Sequence, residues 1–114
     1  MPYINTKLST SLSKEKETAL KEQFGKAITL IPGKSESWLM LGFEDNCRMY
    51  FKGQSSSPLA YVEVNLFGSA SQSAYDALTK KLTEILSTEL SLNPSNIYIK
   101  YYEARVWGWN GMNL

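Results

Sequence analysis

Hydrophobic and polar positions change their period several times along this chain, and each change marks an element. Residues 3–8, Tyr-Ile-Asn-Thr-Lys-Leu, follow the period of two expected of a half-buried strand. After a Ser/Thr-rich link the period lengthens: Leu20, Phe24, Ala27, Ile28 and Ile31 recur at helical spacing behind Ser13, a natural N-cap. This predicts an amphipathic helix over residues 13–30, stopped by Pro32-Gly33. Residues 38–43 read as a second strand, with Lys34 at its entrance. A turn at Asp45-Asn46 and a short strand at 48–51 follow.

The second half opens with residues 59–67, rich in strand formers and closed by Gly68. A second helix begins at Ser71 or Ser73 and gathers Leu78, Leu82, Ile85 and Leu86 on one face. Asn93-Pro94 breaks it. Residues 97–103 then read as a strand, and 106–111 as a short terminal strand or hairpin. At one constant offset Pro2–Leu8 lies over Ala60–Leu66, while Leu20, Phe24 and Ile28 lie over Leu78, Leu82 and Leu86. The chain is therefore expected to be one α/β domain of two β-α-β repeats, with halves of about 2–58 and 59–114. Right-handed crossovers place both helices on one face of a four-stranded mixed sheet. The opposite face is then expected to be bare and rather apolar, because Tyr3, Met40, Val62, Val64, Ile97, Ile99 and Tyr101 cannot all turn towards the helices. Together with short extra strands at 48–51 and 106–109 that could extend a neighbour's sheet, this predicts a closed homo-oligomer, most simply a trimer.

Composition narrows the chemistry. With 114 residues the chain has room for one core and no more. Lys plus Arg total 12 against 11 for Asp plus Glu, so no charge excess points to nucleic acid or an anionic membrane. No apolar run is long enough to span a bilayer and no leader is recognisable, which predicts a cytoplasmic protein or one exported without a leader peptide. There is no histidine, which removes Ser-His-Asp and Cys-His nucleophile pairs and most zinc sites. Cys47 is the single cysteine, so an intrachain disulfide and a CxxC redox pair are excluded, and its polar turn offers no base to make the thiol a nucleophile.

What remains is the amino terminus. If Met1 is trimmed, Pro2 carries a terminal secondary amine, a general base once burial or a nearby cation lowers its pKa. Taken alone, a proline after the initiator methionine is weak evidence, and Lys34 after Pro-Gly reads better as a solvated loop lysine than as a site residue.

Taken together, Pro2-Tyr3-Ile4-Asn5-Thr6, Gly33-Lys34, Ser56-Ser57-Pro58, residues 98–102 (Tyr-Ile-Lys-Tyr-Tyr) and Gly108-Trp109-Asn110 resemble the macrophage migration inhibitory factor family of the tautomerase superfamily, in order and over nearly the whole chain. The resemblance implies a homotrimer with pockets at its subunit interfaces. It also implies cofactor-independent keto–enol tautomerisation of a small aromatic α-keto acid such as phenylpyruvate. Pro2 is then the catalytic base and Lys34 its catalytic partner. Phe67 and Tyr98 become pocket residues, Tyr98 supplied by the neighbouring subunit, with Tyr3, Asn65, Lys100, Trp107 and Trp109 also placed as substrate-binding and no metal. Lys100 stands where the family commonly has asparagine, which suggests a second cation bracketing the pocket with Lys34. Trp107 replaces a smaller residue and, with Phe67, should favour flat aromatic substrates. Leu59-Ala60-Tyr61-Val62 leaves no thiol pair where some relatives have one. The competing reading is a cytokine-like protein that binds a protein receptor and keeps the pocket as a remainder.

Overall fold

The computed structural model describes residues 1–114. Strand β1 (Pro2–Leu8) leads into helix α1 (Lys14–Ala27) and then β2 (Met40–Glu44). The sequence of elements repeats as β3 (Ala60–Phe67), α2 (Gln72–Leu90) and β4 (Ile97–Ala104). A small hairpin, β5 (Gly108–Trp109) and β6 (Met112–Asn113), closes the chain. The sheet order is β2-β1-β3-β4. Each repeat contributes one parallel pair, β1 with β2 and β3 with β4, because a crossover helix separates the strands. The two repeats meet where β1 and β3 run antiparallel, with Pro2 opposite Leu66 and Leu8 opposite Ala60.

Both helices start as the sequence requires. The Ser13 hydroxyl accepts from the Lys16 amide at 3.1 Å, and that of Ser71 from the Ala74 amide at 3.2 Å. Helix α1 is shorter than the periodicity predicts, since residues 28–30 tighten into a 3-10 turn before Pro32. Their buried stripes, Leu20, Phe24, Ala27 and Ile28 against Leu78, Leu82, Ile85 and Leu86, pack on Ile4, Leu8, Val62, Val64 and Leu66 to form one core. At about 25 cal/mol per Å² of apolar surface removed from water, this cluster is the main stabilising term.

Three expectations are corrected. The uncovered face of the sheet is polar and hydrogen-bonded rather than apolar. Strand alternation turns Val62 and Val64 into the core and packs Ile97, Ile99 and Tyr101 against it. The alternate positions therefore face outward: Asn5 donates to Glu44 at 2.7 Å, and the Tyr61 and Tyr102 hydroxyls lie 3.2 Å apart. Tyr102 in turn donates to Glu63 at 3.1 Å. Of the residues expected there, Met40 is the strongly exposed apolar one. Residues 48–51 are not a strand either. Lys52 and Gly53 adopt left-handed φ angles of 55° and 75°, folding Phe51 back onto Gln54 as an isolated bridge with too few residues on either arm to propagate a ladder. Trp38 likewise belongs to a 3-10 turn (Glu36–Trp38), and β2 begins at Met40.

Candidate active site

The amino terminus is fixed from two directions. Proline lacks an amide hydrogen and so tolerates the first position of a strand, where Pro2 is buried opposite Leu66. One residue beyond, the Phe67 amide donates to the Met1 carbonyl at 3.1 Å. The Phe67 carbonyl accepts from Nζ of Lys34 at 2.9 Å. A single residue at the end of β3 thus holds the chain terminus through its N–H and the lysine ammonium through its carbonyl. Lys34 is aimed there by the stop after α1, where its own amide closes a turn on the Ile31 carbonyl at 3.1 Å.

The electrostatics follow from this placement. Burial holds the Met1 amino group below the ordinary 8.0, and the charge of Lys34 and a hydrogen bond with its ammonium lower it further. Both effects disfavour the protonated amine, which is the condition a terminal amine must meet to act as a base near neutral pH. While Met1 is attached, the Pro2 nitrogen is an amide and has no such basicity. Removing Met1 makes it the terminal amine and also takes away the carbonyl that the Phe67 amide engages, leaving that donor free beside the new terminus.

A cavity of about 870 Å³ opens at this point, lined by Pro2, Tyr3, Asn65, Trp107 and Trp109 among the residues singled out from the sequence. Asn65 also donates to the Tyr3 carbonyl at 3.3 Å, tying the wall to the strand that carries Pro2. Sequence reasoning missed Trp38 and Met40, which line the same cavity. Trp38 meets Trp109 edge to face, centroids 5.0 Å apart, and so joins the terminal hairpin to the turn before β2. The apolar run at 38–43 reads Trp38 as the start of a strand, and no local pattern marks it as a cavity wall.

The chain does not bring every chosen residue together. Tyr98 and Lys100 line a second groove of about 720 Å³ with Met49, Tyr50 and Phe51, beside the free edge of β4. Phe51 packs edge-on against Tyr98 at 5.2 Å, and the Lys100 ammonium lies 4.8 Å from the Tyr102 ring centroid. Lys34 and Lys100 therefore do not bracket one pocket within a single chain. No group of three or more His, Cys, Asp and Glu side chains is placed to hold a metal ion. Cys47 donates weakly to the Glu44 carbonyl at 3.4 Å and to that of Asp45 at 4.0 Å. No helix is long and apolar enough to cross a membrane.

Comparison with known proteins agrees with this architecture. The family model described as macrophage migration inhibitory factor (MIF) matches residues 1–114. The fold superposes on Leishmania major MIF2 with a TM-score of 0.92 at 32% identity, covering 100% of this chain and 97% of that one. A MIF homologue from Prochlorococcus marinus gives 0.85 at 28% identity, covering 97% of each chain. A third structure, of Pt0534 inactivated by 2-oxo-3-pentynoate, gives 0.81 at 16% identity over 90% of this chain and 85% of that one, a likeness of fold alone. No curated protein matches the sequence.

Proposed function

The chain belongs to the macrophage migration inhibitory factor family, and from that premise we propose that it is a cofactor-independent tautomerase acting on α-keto acids of the phenylpyruvate type. The observation that carries this reading is the amino terminus, seated at a cavity where burial and Lys34 hold the Met1 amine below its ordinary pKa, an environment that would pass to the Pro2 amine on loss of Met1. Once Met1 is removed, the neutral Pro2 amine takes a proton from the carbon next to the keto group. The proton returns to oxygen in the enol direction, and the reverse sequence restores the ketone. The intermediate enolate is anionic and needs donors in place before it forms. Lys34 and the Phe67 amide vacated by the Met1 carbonyl supply a charge and an oriented N–H for the carboxylate or the oxygen. Trp107, Trp109 and Trp38 give the cavity aromatic walls suited to a flat ring.

In this proposal the protein is a homotrimer. The Tyr98 and Lys100 face of one subunit adjoins the Pro2 cavity of the next, which gives those two residues a substrate-binding role despite their separation within one chain. The free edges of β2 and β4 support such an assembly, since each presents unpaired backbone groups to another chain.

The decisive comparison is enol–keto interconversion of phenylpyruvate, followed by ultraviolet absorbance, with the parent and Pro2→Gly, after mass spectrometry has established loss of Met1. Activity in the parent that collapses in Pro2→Gly supports the assignment. Equal activity in both removes Pro2 from the mechanism. No activity in a correctly trimmed parent favours the competing reading, a receptor-binding protein with a vestigial pocket.

A further inference from the structure

We propose that Gly42 is a positioning residue for the base end of the cavity: the missing side chain at 42 makes a slot in the sheet where the Tyr3 ring lies flat, clear of the space in front of Pro2. The proposal rests on the tautomerase reading for its functional consequence, though not for its geometry.

Tyr3 directly follows Pro2 and lines the same cavity. In the parallel register of β1 and β2, Tyr3 lies opposite Met40 and Asn5 opposite Gly42, all four on the uncovered face. A Cβ placed on Gly42 would stand 2.8 Å from the Tyr3 hydroxyl, 3.4 Å from its Cε1 and 2.8 Å from the Asn5 side-chain oxygen. The phenol therefore reaches diagonally across β2 and occupies the volume a side chain at 42 would need. A contact of 2.8 Å obliges one group to move. Asn5 is 8% exposed and is pinned by its 2.7 Å hydrogen bond to Glu44. Tyr3 has no hydrogen bond from its hydroxyl to hold it, so the ring yields. Its backbone cannot follow, because Asn65 holds the Tyr3 carbonyl from β3 and the strand is paired on both sides. The ring must then pivot about its own side-chain torsions, and the open volume it borders is the cavity of Pro2. A residue that touches neither base nor substrate thereby decides how much room the substrate has.

The test is a double-mutant cycle of Gly42→Ala with Tyr3→Ala, measured with phenylpyruvate on the full, trimmed chain. Gly42→Ala should raise KM by about tenfold and leave kcat within about twofold, the signature of lost substrate binding rather than lost chemistry. In the Tyr3→Ala background the KM penalty should disappear, because the ring that swings into the cavity is gone, while the 2.8 Å approach to the Asn5 oxygen remains and lowers stability alike in both backgrounds. An equal KM penalty in both backgrounds, or none in either, overturns the proposal. A nuclear Overhauser contact between the Tyr3 ring protons and the Gly42 α protons gives a readout free of activity. Its presence in the parent is expected. Its absence refutes the slot even if Gly42→Ala fails to fold, and an inactive parent refutes the tautomerase reading while leaving this contact to be tested.

Discussion

Replacing Lys34 by methionine keeps the length of the side chain and deletes its charge, and two consequences can be worked out separately. Its Nζ lies 2.9 Å from the Phe67 carbonyl, and none of the ion pairs in the chain, Lys14–Glu17, Lys16–Glu89 and Lys81–Glu84, includes it. The ammonium is therefore free to meet an incoming anion without first surrendering a carboxylate. A hydrogen bond to a charged group contributes about 1.5–3 kcal/mol. Since 1.36 kcal/mol is a factor of ten, kcat/KM at its plateau should fall by roughly ten- to hundredfold in Lys34→Met. The second consequence is a displacement along the pH axis. Lys34 lowers the pKa of the Met1 amine, and the same charge is expected to act on the Pro2 amine once Met1 is gone, so removing the charge should raise that pKa. The base works as the neutral amine, so activity grows as pH rises through that pKa and the acid limb of the profile must move to higher pH in the variant. Lys34→Arg keeps the charge and should leave the limb close to that of the parent. The assay is kcat/KM for phenylpyruvate from pH 5 to 9, with direct titration of the Pro2 amine by NMR. A Lys34→Met profile with an undiminished plateau and an unmoved limb would refute both the substrate contact and the electrostatic coupling.

Two further outcomes are expected. Trp38→Ala removes one partner of an edge-to-face pair, each ring about half exposed, worth about 0.5–1.5 kcal/mol beyond its burial. KM for phenylpyruvate should rise severalfold while that for a small aliphatic α-keto acid barely changes; equal changes for both would mean that Trp38 does not contact the ring. Burial, followed by a hydrogen bond to Glu103, raises the Tyr75 phenol from an ordinary 10.0 to about 12. The folded state then holds this proton more tightly than the unfolded state, so the contribution is fully present below pH 10 and is lost as pH rises towards 12. Urea titrations should show parent stability falling across that window more steeply than in Tyr75→Phe, and parallel curves would contradict the shift.

The sequence by itself determined the kinds of element, their order and their repetition. Periods of two and 3.6, serine caps and Pro-Gly stops are local properties of a chain, and they act before any distant contact exists. The repeat of Pro2–Leu8 in Ala60–Leu66 carried the sheet as well, because two similar units with crossover helices admit few arrangements. Pro2 and Lys34 became legible as a chemical pair only through the ordered resemblance to a known family, since each residue alone is weak evidence.

Tertiary structure decided what depends on register and on edges. Alternation states that strand residues take opposite faces but not which face the helices cover, so Val62, Val64 and Ile99 were assigned partly to a bare face that is in fact a polar network. Residues 48–51 looked extended in isolation, yet a left-handed pair at Lys52-Gly53 folds them back. The hairpin that carries Trp109 finds Trp38 across many residues of intervening chain. Gly42 looked like any strand glycine until the pairing of β1 with β2 set Tyr3 above it. These outcomes come from pairs of residues far apart in sequence and joined by hydrogen-bond register, and no local pattern encodes that distance.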